Sequence, residues 1–319
     1  MSDTLLSQIR SLVTVDIDSM DPEIAARHTK DIKFCDMTSN QAIVYSEALR
    51  PERRRSVQVS RGRNVVDLFT VLLGKKVYPH LTGNVHAQTS PSTAYDTEKT
   101  VEHARKLVSI FEANKIPRER VCIKIPATAE SMVACKLLAE MGIKTLATCL
   151  FSVPQAVAAS QANCIYVAPY FNELRVHFEP SLWREYTNPA EDHPMSQTIV
   201  SIKHALQSIN SKTQVMPASI VTVKEVVSLV SLKPDHITIS GGLLDKLSQE
   251  QPLPADSFKT SLQPVVDEAQ VSRDYLAQSG EELRKAIQND EEVTRKLKDA
   301  LSLFDDFEKK TRELVKTVL

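Results

Sequence analysis

Glycine is scarce in this 319-residue chain, with seven residues to serve the turns of a protein this size. Loops therefore lack their usual marker. No P-loop and no G-x-G-x-x-G occurs, so no nucleotide cofactor is expected. Five cysteines (Cys35, Cys122, Cys135, Cys149, Cys164) stand apart without a C-x-x-C pair, several inside apolar strand-like runs. They read as reduced thiols packed as small hydrophobes, which fits a cytoplasmic protein. His86, His177, His193 and His236 form no H-x-H or H-x-x-x-H pair, so no metal is expected. Charge of one sign is missing too: 39 basic residues face 40 acidic ones, a net charge of −1, with no signature of nucleic-acid or membrane binding. No window approaches a membrane-spanning apolar run, and MSDTLLSQIRSLVTVDID lacks the build of a signal peptide. The one tryptophan, Trp183, lies in the loop-like PSLWREYTNPAEDHP and reads as a packing anchor rather than a sugar platform.

What is present is an ordinary globular composition, 42% hydrophobic and 25% charged. Short apolar runs alternate with longer amphipathic stretches, the pattern of repeated βα units on a parallel sheet. Eight strands are expected: Val13–Asp18, Ile32–Thr38, Asn84–Gln88, Val121–Ile125, Lys144–Thr148, Cys164–Ala168, Gln214–Ala218 and His236–Ile239. Helices are expected at Thr97–Asn114, with Val101, Ala104, Leu107, Val108 and Phe111 on one face, and at Ala129–Met141, closed by Gly142. Shorter ones fall at Ser196–Gln207 and Val223–Leu232, and Arg53–Leu73 reads as a helical insertion after the second strand. The expected fold is α/β: a (β/α)8 TIM barrel with C-terminal helices, one domain over 1–319, its barrel at about 10–250 and its helical extension at about 255–319. In that extension Leu297, Leu301, Phe304, Thr311, Leu314 and Val318 recur at helical spacing, so it packs on the barrel or on a second copy in a homodimer. Arg50, Arg53, Arg54, Arg55, Arg61 and Arg63 read as a solvated face near the barrel mouth, with a small role in attracting an anionic substrate.

Each expected strand ends at or near a polar residue: Asp18, Asn40, Gln88, Lys124, Thr148, Tyr170, Ser219 and Ser240. In a (β/α)8 barrel such ends converge on one face, where catalytic groups sit. Lys124 is the most informative, since it interrupts the buried-strand run VCIKIPAT. Desolvation lowers an amine's pKa and frees its lone pair to attack a carbonyl. The residues alone leave two other readings open: pairing with a carboxylate such as Asp18, or reaching to the surface.

The segment VCIKIPATAESMVACKLLAEMGIKTLATCLFSVPQAVAASQANCIYVAPYFNEL resembles the central section of the transaldolase family, a class I aldolase superfamily. Lys124, Thr128, Gly142, Ile143, Thr148, Phe151 and Ser152 match its lysine strand, turn and T-x-x-F-S segment in order and spacing. Further matches are Asp18-Ser19-Met20-Asp21, Asp36-Met37-Thr38-Ser39-Asn40, Tyr95-Asp96-Thr97-Glu98, Val215-Met216-Pro217-Ala218-Ser219 and Ile237-Thr238-Ile239. The resemblance implies a cofactor-free transferase of carbohydrate metabolism, moving a dihydroxyacetone unit from a ketose or ketose phosphate to an aldose. It implies Lys124 as the Schiff-base nucleophile and Asp18 as the acid/base at the C4 hydroxyl. Gln88 and Thr148 would hold a proton-shuttling water, and Asn40, Tyr170, Asn172 and Ser219 would bind substrate.

At Gln88, Leu146, Ala168 and Tyr170 the chain instead resembles the small fructose-6-phosphate aldolases of the same superfamily, which release dihydroxyacetone. Where transaldolases carry basic residues for the sugar phosphate, this chain has Glu173 and Val221. Arg175 and Lys224 lie close by in sequence and are the available substitutes; otherwise the substrate carries no phosphate, or carries it elsewhere.

Overall fold

The computed structural model describes residues 4–30, 32–59 and 65–317. Arg61, Arg63 and Val318, named above for charge and helical spacing, lie outside the described residues. The fold is α/β, with parallel strands and helices between them. The strands are β1 (Thr14–Asp18), β2 (Val85–Gln88), β3 (Val121–Pro126), β4 (Lys144–Leu150), β5 (Tyr166–Pro169), β6 (Gln214–Val215) and β7 (His236–Ser240). Strand β1 pairs with β7, while β2 to β6 pair in chain order, every ladder parallel. Between β6 and β7 the Asp235 N–H donates to Val215 O at 3.1 Å and the Thr238 N–H to Pro217 O at 3.3 Å.

Two expected strands come out differently. The run Ile32–Thr38 forms no ladder, only bridges from Met37 to Ile17 and Val85 and from Phe34 to Leu81. Its backbone still bonds on both sides: Thr38 N donates to Ile17 O at 2.9 Å, and His86 N to Met37 O at 2.9 Å. The ladder breaks because the Asp36 N–H donates instead to the Asp16 carboxylate at 2.7 Å. Strand β6 is two residues rather than five, since Pro217 has no N–H and Ser219 turns to φ +62°.

The helices follow their caps. Thr97–Ala113 starts where Asp96 accepts from the Lys99 N–H, and it buries Thr100, Ala104, Leu107, Val108 and Phe111. Thr128 caps Ala129–Glu140, and Gly142 beyond it takes φ +72°, a left-handed turn that suits glycine. Within the stretch Arg53–Leu73, expected to be helical, the described residues form helices at Arg54–Val59 and Val65–Val77. At the C-terminus, Glu291–Thr317 buries Leu297, Leu301, Phe304 and Thr311. It lies against Gln41–Ala48 through Phe307, whose ring centroid is 5.6 Å from Tyr45 and 4.7 Å from Phe178. Trp183 anchors its loop by donating Nε1–H to Glu225 at 2.8 Å. No helix among the described residues is long and apolar enough to cross a membrane.

Candidate active site

Lys124 is the fourth residue of β3, flanked in register by Gln88 and Leu146 and only 2% exposed. Burial pushes its pKa down, while the negative charge of nearby Asp18 pulls the other way. The two form no ion pair among the described residues. The buried reading of this lysine therefore holds over the surface one. Its Nζ stands 5.9 Å from the centroid of the Tyr170 ring.

Asp18 closes β1 and is held by a hydroxyl relay. Thr38 Oγ1 donates to Asp18 Oδ1 at 2.7 Å. Having one proton, Thr38 must accept from Thr238 Oγ1, 2.6 Å away. Asn40 caps Gln41–Ala48, its Oδ1 accepting from the Ala42 and Ile43 N–H groups at 3.0 Å each. That fixes the side chain with its NH2 left for a ligand.

These groups share one cavity of about 260 Å³, lined among others by Asp18, Asn40, Lys124, Tyr170, Ser219 and Thr238. Five of the eight residues singled out from sequence thus meet around it: Lys124, Asp18, Asn40, Tyr170 and Ser219. Gln88, Thr148 and Asn172 are not among its lining residues. Gln88 donates to Gln41 Oε1 at 2.7 Å and faces a separate cavity of about 20 Å³ beside Asp67, His103 and Glu308. Its own Oε1 is buried without a partner. Thr148 donates to the Tyr170 hydroxyl at 3.1 Å, and burial pushes that phenol well above its ordinary pKa. Asn172 donates to Ser219 O and to Glu225 Oε2, both at 3.0 Å, so it braces the loop under Ser219.

Sequence reasoning missed His177, Phe178, Leu174 and Ile220, which complete the cavity wall. The sequence offers His177 only as a candidate metal ligand, whereas its Nε2 lies 2.8 Å from Ser219 Oγ. Nothing in periodicity pointed to it, because it sits in a short 3-10 turn, Leu174–His177. Neither basic substitute reaches the cavity. Arg175 pairs with Glu179 at 2.9 Å, and Lys224 donates to Tyr186 O at 2.9 Å. Glu173 accepts from Arg295 at 2.6 Å and faces an outer pocket instead.

One group of potential metal ligands, Asp16, Cys35 and His236, lies nearer the N-terminal ends of the strands, its ligand atoms within 4.8 Å of one another. Asp16 Oδ2 is already hydrogen-bonded to His236 Nδ1 at 2.8 Å. Burial and the charges of Asp36 and Asp16 push the Cys35 thiol up to about 12, far from a thiolate ligand. The group reads as a satisfied internal network.

A buried amine facing a carboxylate inside a sugar-sized cavity suits carbonyl condensation followed by proton transfer. Comparison with known proteins agrees. The family model described as Transaldolase/Fructose-6-phosphate aldolase matches residues 15–317. The transaldolase of Schizosaccharomyces pombe (strain 972) is 29% identical over 313 residues, covering 94% of each chain. That of Prochlorococcus marinus (strain NATL1A) is 28% identical, covering 95% of this chain and 92% of its own. That of Saccharomyces cerevisiae is 29% identical, covering 86% of this chain and 87% of its own. The chain belongs to the transaldolase/fructose-6-phosphate aldolase family.

Proposed function

We propose that this chain is a transaldolase working through an imine on Lys124, in a single-domain (β/α)8 barrel with a C-terminal helical extension, in the cytoplasm and without a cofactor. The observation that carries the reading is the buried Lys124 amine sharing a cavity with the Asp18 carboxylate. The hydrogen bonds from Met37 and Thr38 on one side, and from Asp235 and Thr238 on the other, support a ring of eight strand segments.

The chemistry follows from those two groups. The neutral amine adds to the ketose carbonyl, and loss of water with uptake of a proton leaves an iminium that accepts electrons. Asp18 takes the proton of the C4 hydroxyl as the C3–C4 bond breaks, so an aldehyde leaves and an enamine remains on Lys124. The enamine carbon then attacks an acceptor aldehyde, Asp18 returns the proton to the new hydroxyl, and water hydrolyses the imine. The Thr238–Thr38 relay orients the carboxylate throughout. Asn40 and Ser219 bind substrate hydroxyls, while Gln88, Thr148 and Asn172 act from outside the cavity lining.

Borohydride reduction with dihydroxyacetone, followed by peptide mapping, tests this reading: an adduct on Lys124 is expected, and none there ends it. A second reading, an aldolase releasing dihydroxyacetone, has one observation in its favour: Thr148 holds the Tyr170 hydroxyl, on a ring whose centroid is 5.9 Å from the Lys124 amine. Multiple turnovers without an acceptor would select it over transfer.

A further inference from the structure

We infer that the cavity takes unphosphorylated sugars, and that His177 with Ser219 selects the uncharged hydroxyl end of the chain. This rests on the Lys124 reading above. The only Lys or Arg among the described lining residues is Lys124, which the imine itself consumes. Apart from Asp18, the remaining wall is apolar or neutral, with Leu174, Phe178, Ile43, Ile220, Ser46 and Ser240 among its residues. A phosphate ester brings two negative charges and only acceptor oxygens, so it needs cations or free backbone N–H groups.

At one helix start beside the cavity the backbone groups are already taken. Helix Val223–Ser231 begins beside the cavity residue Ile220, and a helix start is a natural anion site. Here the carboxylate of Glu225 already occupies it, accepting from the Val221 N–H at 2.7 Å and the Thr222 N–H at 3.4 Å. Glu225 also accepts from Asn172 and Trp183, so it is locked in place by four donors. A second anion there would meet a fixed buried carboxylate. Asp18 contributes another negative charge inside the cavity.

The His177–Ser219 pair has the opposite character. At 2.8 Å, either the serine hydroxyl or the imidazole is the donor, and both arrangements leave one donor and one acceptor for a ligand. That matches a sugar hydroxyl, which both donates and accepts. The imidazole is solvent-exposed, and desolvation by neighbouring protein atoms lowers its pKa against the opposing pull of Asp18 and Glu225.

The test compares D-fructose with D-fructose 6-phosphate as donors, kcat/KM being expressed per open-chain form, alongside dihydroxyacetone–borohydride trapping. Fructose is expected to match or exceed its phosphate ester, and inorganic phosphate is expected not to slow adduct formation. His177→Ala is expected to raise KM for fructose about tenfold with kcat within about twofold, and His177→Gln to recover part of the loss. Ile220→Lys, which adds a cation to the wall, is expected to shift preference toward the phosphate ester by about tenfold or more. Adduct on Lys124 together with a phosphate ester favoured by more than about tenfold in the unmodified chain overturns this inference and leaves the transaldolase reading standing. No adduct on Lys124 removes both.

Discussion

An amine stripped of water is the chemical centre of this molecule. Lys124 sits on an interior strand, and its burial depresses the pKa against the opposing pull of Asp18. Only the neutral amine attacks a carbonyl, so adduct formation with dihydroxyacetone should rise with pH through an apparent pKa below the ordinary lysine value of about 10.4. A midpoint at or above that value in a pH series of trapping rates would contradict the burial argument. Asp18 has a separable task. Asp18→Asn should retain the adduct but lose roughly 10²–10⁴-fold in carbon–carbon cleavage, read as donor consumption in single turnover. Loss of adduct and cleavage together would instead point to a carboxylate needed for imine formation.

At the scale of elements, the site is assembled by short pieces that strands alone do not supply. The helix Glu291–Thr317 reaches back over the strand ends, where Phe307 touches both Tyr45 and the cavity residue Phe178. Arg295 on the same helix clamps Glu173 at 2.6 Å. The C-terminal helix thereby buttresses one wall of the cavity. Phe307→Ala should cost about 2 kcal/mol from two lost ring contacts and a partly filled gap. It should also raise the donor KM several-fold. Urea unfolding and steady-state kinetics on one preparation would show both effects; a stability loss with an unchanged KM would make the helix a pure clamp.

At the scale of the whole molecule, two buried carboxylates give stability a definite pH profile. Burial would raise Asp36, yet hydrogen bonds and charge from His86, with Asn84, outweigh it and hold Asp36 far below the usual range. Its contribution is full above about pH 4 and declines as pH falls below that. Asp16 runs the other way, raised to about 6 by burial against the opposing effect of His236. Its ionisation opposes folding above pH 6 and ceases to matter below about pH 4. His236 is raised by its bond to Asp16 against desolvation, so its stabilisation is present below about pH 6.5 and fades as pH rises. His193 works against this pair, since burial lowers its pKa to about 4 and its protonation opposes folding as pH falls below about 6.5. The Asp16 effect is therefore read as a difference: the urea midpoint of Asp16→Asn relative to the unmodified chain should shift in favour of the unmodified chain as pH falls from 7 to 5, and a shift the other way would reject the assignment.

Much of this was legible from local pattern. Strand positions came out within a few residues, because short apolar runs buried on both faces and capped amphipathic helices are local properties. The exceptions have physical causes: Asp36 diverts its backbone to Asp16, and Pro217 with the left-handed Ser219 cuts β6 short. Lys124 was legible because a lysine in a buried strand is anomalous by itself. His177 and Phe307 were not, since nothing in their own segments marks them.

The order of residues alone determined the parallel α/β alternation, the buried lysine and the acid at the first strand end, each encoded in a window of a few residues. Only the tertiary structure decided which polar residues share a cavity. It turned Gln88 toward Gln41, bound Glu173 to Arg295, tied Arg175 and Lys224 to other partners, and brought His177 to the wall. Each of those outcomes is a competition between partners far apart in the chain, settled by which donor and acceptor the packed core brings within hydrogen-bond reach.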